Sequence, residues 1–154
     1  LFSCRGNSQK TASRETPDTN GKSEFAVQKS DAEWRKELTE MEYYILRKAG
    51  TENPGTSDLL DNKEKGTYVC AGCGNPLFKS EHKFNSGTGW PSFDREIEGN
   101  VAYSVDYEIG YKRTEEHCAR CGGHLGHVFE DGPRATTGLR HCINGAALDF
   151  VPEN

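Results

Sequence analysis

The chain has 154 residues, 33% of them hydrophobic and 28% charged, with 17 glycines and a formal net charge of −5. This fits one modest core with many turns, and the acidic balance disfavours nucleic acid, which is bound through basic patches that neutralise phosphate. No stretch approaches the roughly 20 apolar residues that span a bilayer, so a soluble protein with no membrane partner is expected.

The chain opens at Leu1 and its single methionine is Met41, which reads as a processed or trimmed product. The first residues, LFSCRGNSQKTASR, carry Arg5, Lys10, Arg14 and several serines but no acid. That composition fits the end of an organellar transit peptide and equally an ordinary tail. Residues 1–29 as a whole are polar and rich in serine and threonine, and a disordered N-terminal tail is expected there. Residues 30–154 read as one domain.

The domain starts with SDAEWRKELTEMEYYILRKAG, read as one helix. Ser30 and Glu33 form an S-x-x-E capping box, and Gly50 stands where a helix terminates. Trp34, Leu38, Met41 and Ile45 recur at helical spacing, a stripe that packs into a core and carries no chemistry. TENPGTSDLLDNKEKG is then a loop marked by Pro54-Gly55. From Thr67 onward short β-favouring runs alternate with glycines: TYVC, PLFKS, KFNS, NVAYSVDYEIGYK, LGHVFE, LRHCIN and ALDFV. The expected class is mainly β, built of antiparallel strands.

Two C-x-x-C-G knuckles lie in this region, Cys70-Ala-Gly-Cys73-Gly and Cys118-Ala-Arg-Cys121-Gly. Two matched pairs can set four thiolates tetrahedrally about one Zn²⁺. A single C-x-x-C is alternatively a redox dithiol, but such a pair usually sits between a strand and a helix, and neither pair here precedes a helix pattern. The spacing therefore predicts one structural zinc that staples two hairpins distant in sequence.

Cys4, in the tail, and Cys142, in LRHCIN, remain. In a strand, Arg140, Cys142 and Asn144 share one face while His141 and Ile143 take the other. A guanidinium beside the thiol is expected to pull its pKa below the free value. Upstream, His124-Leu-Gly-His127-Val-Phe129 offers two imidazoles. Residue types and spacing leave two readings open, a Cys–His catalytic centre and a buried small apolar residue. They do not choose between hydrolysis and thiol redox chemistry.

From Trp34 to Val151 the chain resembles the peptide-methionine (R)-S-oxide reductases, the B type of methionine sulfoxide reductase, through GTYVCAGCGNPLF, SGTGWPSF, CGGHLGHVF, DGP and GLRHCINGAALDF. The resemblance implies two antiparallel sheets with short flanking helices, stapled by one Zn²⁺ through Cys70, Cys73, Cys118 and Cys121. It places the nucleophile at Cys142, two active-site histidines at His124 and His127, a substrate-contacting asparagine at Asn144 and an arginine at Arg140. Trp90 falls on the tryptophan that walls the substrate's S-methyl group, and Phe129 on a second apolar contact. The implied reaction reduces methionine-R-sulfoxide in peptides and proteins and leaves a sulfenic acid on Cys142. A monomer is expected.

Many members of that family read S-G-C-G-W-P-S-F, and that cysteine resolves the sulfenic acid; here Thr88 occupies the position, and a hydroxyl cannot reduce a sulfenic acid. Regeneration is expected from an external thiol, either glutathione with glutaredoxin or thioredoxin, with Cys4 as the competing internal thiol. His141 and Gly145 stand where tyrosine and serine are common, and His141, facing away from Cys142, is expected to affect packing only. Members lacking the resolving cysteine are known in plastids, which with the acid-free N-terminus points to a chloroplast stroma. The competing expectations are a zinc-stabilised binding module in which Cys142 is incidental, and a thiol peroxidase or hydrolase.

Overall fold

The computed structural model describes residues 25–154, so the transit-peptide reading and Cys4 lie outside the described residues. Residues 25–29 run along the second knuckle, where the Val27 N–H donates to the Arg120 carbonyl at 2.9 Å.

The stretch read as one helix is two, α1 (Asp31–Glu37) and α2 (Glu40–Lys48). The reason is a second capping box inside it. The Glu42 N–H donates to Thr39 Oγ1 at 3.1 Å, and the Glu42 carboxylate accepts the Thr39 N–H at 2.9 Å. Leu38 is extended at the break. The new start rotates α2, so Met41 leaves the apolar stripe and is 49% exposed, while Tyr43, Ile45 and Leu46 are buried with Trp34 and Leu38. The helix turns left-handed at Ala49, with φ 57°, one residue before the glycine expected to end it. Gly50 is needed for room instead: a Cβ there would lie 2.3 Å from the Tyr44 ring.

Strands β1 (Gly66–Cys70), β2 (Pro76–Lys79), β3 (Lys83–Phe84), β4 (Ser92–Phe93), β5 (Val101–Asp106), β6 (Arg113–Cys118), β7 (His124–Phe129), β8 (Arg140–Ile143) and β9 (Leu148–Pro152) follow. They build two antiparallel sheets, ordered β2-β1-β9 and β3-β4-β8-β7-β6-β5. The mainly β architecture of two antiparallel sheets with short helices is thus as expected. The run NVAYSVDYEIGYK is strand only to Asp106, and RTEEHC, which carries no apolar alternation, is the fully formed β6.

The sheets meet through aromatic rings. Phe78 of β2 stacks on Phe93 of β4 with centroids 4.4 Å apart, and Tyr68 of β1 meets Phe93 edge-on at 5.1 Å. All three are buried, and such pairs add about 0.5–1.5 kcal/mol each beyond the area they bury. Phe93 pairs across the sheet with His141, which pairs with Val128, so this row faces the core. His141 is indeed turned away from Cys142, but it does more than pack. Its Nδ1 lies 2.9 Å from both carboxylate oxygens of Glu116, and both residues are fully buried. The next row, Ser92, Cys142, His127 and Glu115, crosses four strands on the opposite face. One face of the six-stranded sheet is core; the other is free for chemistry.

Candidate active site

The knuckles are the turns that end β1 and β6, one from each sheet. The four sulfurs of Cys70, Cys73, Cys118 and Cys121 lie within 4.8 Å of one another, with Cys70–Cys121 at 3.7 Å and Cys73–Cys118 at 3.5 Å. A tetrahedral ion with metal–sulfur bonds near 2.3 Å needs sulfurs about 3.8 Å apart, so the cluster fits one. Donors already point at the sulfurs: the Gly72 N–H lies 3.4 Å from Cys70 Sγ, and Asn75 Nδ2 lies 3.5 Å from Cys118 Sγ. Arg47 of α2 brings a cation to the cluster's edge by donating to the Cys121 carbonyl at 3.0 Å.

On the free face of the larger sheet, Cys142 lies directly opposite His127 in the β7–β8 register. Gly126 makes that approach possible, because a Cβ there would lie 2.0 Å from the Cys142 carbonyl oxygen. Cys142 lines a cavity of about 270 Å³ together with Thr88, Trp90, His127, Phe129, Arg140 and Asn144. Arg113 and Thr51 complete the rim, and neither carried a sequence signal.

His124 is brought close but does not line the cavity. Residues three apart on a regular strand face opposite ways. Here the register shifts between Glu116 and His117, and the extra residue in β7 turns His124 to the same side as His127. Their ring centroids are 5.6 Å apart. His124 is buried, with Nδ1 2.6 Å from Glu115. His127 Nε2 lies 2.5 Å from Asp106 Oδ2, and Arg113 reaches Asp106 at 3.3 Å. With a carboxylate accepting at Nε2, the neutral His127 carries its proton on that nitrogen, which leaves Nδ1 as an acceptor. Burial lowers the His127 pKa below the ordinary histidine value even against the Asp106 hydrogen bond, and Arg113 and His124 add to the lowering. His127 is neutral at neutral pH.

The amide of Asn144 is held at both ends, its Oδ1 accepting the Glu52 N–H at 2.9 Å and its Nδ2 donating to the Leu125 carbonyl at 3.0 Å. The Trp90 indole N–H donates to the Glu52 carbonyl at 3.1 Å. Arg140 stacks 4.5 Å over the Phe129 ring and binds Asp131 through two nitrogens at 2.9 and 3.1 Å.

The expectation for Cys142 is corrected by its burial: the pKa is raised, not lowered. Burial is the largest cause, and Glu116 adds to it; Arg140 and the Thr88 hydroxyl oppose it without prevailing. Asp131 neutralises the guanidinium, so the charge reaching the thiol is reduced.

Comparison with known proteins identifies the fold that carries this site. Residues 38–152 match the family model described as the SelR domain. The chain belongs to the SelR family. It is 53% identical over 135 residues to the peptide methionine sulfoxide reductase MsrB of Leifsonia xyli, covering 87% of this chain and 97% of that protein. It is 55% identical to the protein of the same name from Leptospira interrogans, over 84% and 98%, and 54% identical to that of Methanosarcina barkeri, over 83% and 90%. Among solved structures, the Mis18 Yippee-like domain aligns with a TM-score of 0.48 at 14% identity, over 59% of this chain and 99% of that one.

Within this SelR domain the positions singled out by sequence, Cys142, His127, Asn144, Trp90, Arg140 and Phe129, converge on one cavity, with His124 behind it. The carboxylates that hold them, Asp106, Glu115, Asp131 and Glu52, were not legible as site residues. The raised Cys142 thiol has a measurable consequence. Carbamidomethylation of Cys142 by iodoacetamide, followed on the peptide that carries it, should be slow near neutral pH and climb with pH. Its half-point should lie above the ordinary 9.0, because only the thiolate reacts. A plateau already reached near neutral pH would show that Arg140 prevails over burial.

Proposed function

We propose that the protein reduces methionine-R-sulfoxide in peptides and proteins, with Cys142 as nucleophile. The observation that carries this is Cys142 in a cavity walled by Trp90 and Phe129 and directly opposite His127. A sulfoxide offers an electrophilic sulfur, a strongly accepting oxygen and a methyl group without hydrogen-bonding capacity. Sulfur meets Cys142, the methyl packs on the Trp90 indole, and oxygen turns to the polar side at His127 and Arg113. The opposite epimer exchanges methyl and oxygen, which sets the oxygen against an apolar wall. Leaving a buried acceptor unpaired costs about 1–3 kcal/mol, and this term discriminates the epimers.

The chemistry balances without a cofactor. Cys142 sulfur bonds transiently to the sulfoxide sulfur. The protonated oxygen then bonds to Cys142 sulfur as the substrate's S–O bond and the transient S–S bond break, which releases methionine and leaves a Cys142 sulfenic acid. Methionine sulfur gains two electrons and the cysteine sulfur loses two. The thiol's own proton supplies the hydroxyl hydrogen. Because His127 is neutral at rest, it acts as a relay: it takes the thiol proton as attack begins and returns it to oxygen, directly or through one water. Asp106 holds the His127 ring at Nε2, and His124, itself held by Glu115, packs edge-on against it. Zn²⁺ is proposed for the four-cysteine cluster, where its role is to staple the sheets and not to touch substrate.

Thr88 hydrogen-bonds toward Cys142 and occupies the place of a resolving thiol. Regeneration is therefore assigned to external thiols. The first attacks the sulfenic acid, releases water and forms a mixed disulfide; the second releases Cys142 as thiol and leaves an external disulfide. Turnover with separated R and S sulfoxides, using dithiothreitol, glutathione with glutaredoxin, and thioredoxin as donors, tests both halves. Enzyme treated with one equivalent of substrate and then dimedone should gain a single adduct at Cys142. A Cys4–Cys142 disulfide in place of the adduct would transfer regeneration to the tail. A plastid stroma location is proposed on the acid-free, serine-bearing N-terminus and on Thr88 in place of a resolving cysteine, and immunodetection in fractionated cells tests that location.

A further inference from the structure

Glu52 lies in the connection between α2 and β1, where a carboxylate ordinarily faces water, yet it is 4% exposed. Its carboxylate accepts the N–H groups of Gly145 at 2.8 Å and Ala146 at 2.9 Å. These begin a 3-10 turn, Gly145–Ala147, that follows Asn144. The Glu52 backbone N–H donates to the Asn144 side chain, and its carbonyl accepts the Trp90 indole N–H. One residue thus ties together the indole wall, the amide and the turn after the nucleophile's strand. Glu52 itself does not line the cavity.

The surrounding loop is pinned in the same sense. The Gly55 N–H donates to the Gly89 carbonyl at 2.7 Å, and a Cβ at Gly89 would come within 2.6 Å of Pro54. Gly89 has φ 95°, which a side chain rarely tolerates. The loop carrying Glu52 and the loop carrying Trp90 therefore move as one piece. The backbone beside Trp90 is anchored to β8 directly, through the Pro91 carbonyl that accepts the Ile143 N–H at 3.0 Å and the Ser92–Cys142 pairing. The indole ring is tied to the Glu52 segment, and the Glu52 carboxylate fixes that segment to the turn after β8. A buried carboxylate is costly unless its oxygens are met by donors, so the loop is stable only in the register where the Gly145 and Ala146 amides meet it.

We propose that Glu52 is a positioning residue that sets the distance between the Trp90 wall and Cys142, and through it substrate affinity and epimer selectivity. The inference rests on the reading of the cavity as a methionine sulfoxide pocket. Losing the carboxylate leaves Cys142, His127 and the Trp90 backbone in place but loosens the Glu52 segment that holds the indole ring. The effect falls on KM and on the R-to-S preference more than on kcat, since misplacing a positioning contact by about 1 Å costs up to about 100-fold.

The test uses the zinc-loaded full chain, with Glu52→Ala and Glu52→Gln. The chain has two tryptophans, and Trp34 is 2% exposed, so acrylamide quenching of indole fluorescence reports Trp90. In Glu52→Ala the quenching constant is expected to rise at least about twofold, and KM for the R-sulfoxide at least about tenfold, with kcat changed less. The rate of Cys142 carbamidomethylation by iodoacetamide should stay within about twofold of wild type, a readout that general damage to the fold would move. Glu52→Gln keeps one acceptor oxygen and should fall between, and it carries the test should the alanine variant not fold. Unchanged quenching, or unchanged KM, in a folded zinc-loaded variant overturns the proposal. Wild-type enzyme without sulfoxide turnover would overturn the substrate reading, while the quenching change would still report the latch.

Discussion

Replacing Cys142 with serine is expected to lower turnover of peptide methionine-R-sulfoxide by at least about 10³-fold, because the proposed reaction uses the residue as nucleophile and not as a support for one. A serine hydroxyl has nearly the same shape, so the register with His127 and Ser92 survives. It is a far weaker nucleophile, however, and it cannot accept the oxygen as a sulfenic acid can. The stability cost should be within about 0.5 kcal/mol, since Cys142 is half-buried on the cavity side and makes none of the core contacts. Zinc content should be unchanged, because Cys142 is not in the four-sulfur cluster. The measurement is steady-state reduction of the R-sulfoxide alongside metal analysis and thermal unfolding. Residual activity within tenfold of wild type would move the chemistry to another group. Loss of zinc together with activity would mean that the variant reports on the fold instead.

What could be read from sequence, and what could not, divides along physical lines. The four-cysteine cluster was legible because tetrahedral ligation demands sulfurs at fixed local spacing, and both C-x-x-C-G turns satisfy it within five residues. The shared face of Arg140, Cys142 and Asn144 was legible because strand alternation is set by covalent geometry alone. β6 was not, since apolar alternation is the usual strand signal and RTEEHC has none. Its polarity is real but paired: Glu115 serves His124, Glu116 is buried against His141, and Arg113 serves Asp106. The break between α1 and α2 was written in the chain as T-x-x-E, hidden inside a longer helical stripe. The sign of the Cys142 shift failed for a different reason. Sequence showed the neighbouring Arg140, but not the burial of the thiol or the Asp131 carboxylate that answers the guanidinium. Glu52 was invisible because its partners, at 90, 144, 145 and 146, are brought to it only by the tertiary fold.

Removing the metal, or replacing Cys118 with serine, is expected to unfold the domain at ordinary temperature. The two knuckles sit at the ends of β1 and β6, in different sheets, so an ion held by both is a cross-link between layers. Leu46 of α2 packs on both turns: a Cβ at Gly72 would meet it at 3.5 Å and one at Gly123 at 2.8 Å. Without the ion, sulfurs 3.5–3.7 Å apart cannot all remain thiolates. Protonating or separating them loosens the turns on which α2 rests. Structural zinc contributes on the order of 10 kcal/mol in small domains, as much as the whole stability of a typical domain. At about 2–4 °C per kcal/mol, Tm should drop by about 20 °C or more when chelation in the presence of a thiol-reactive mercurial strips the metal. In the Cys118→Ser variant, where no mercurial caps Cys142, activity should vanish in parallel, through the fold: α2 also packs against β7 and the 3-10 turn after Asn144, so the elements bearing His127 and Asn144 lose their backing. Metal analysis paired with near-ultraviolet circular dichroism reads both. A stripped protein that keeps its aromatic signal and its Tm within a few degrees would show that the Phe78–Phe93–Tyr68 core holds the sheets without help, and the staple would be redundant.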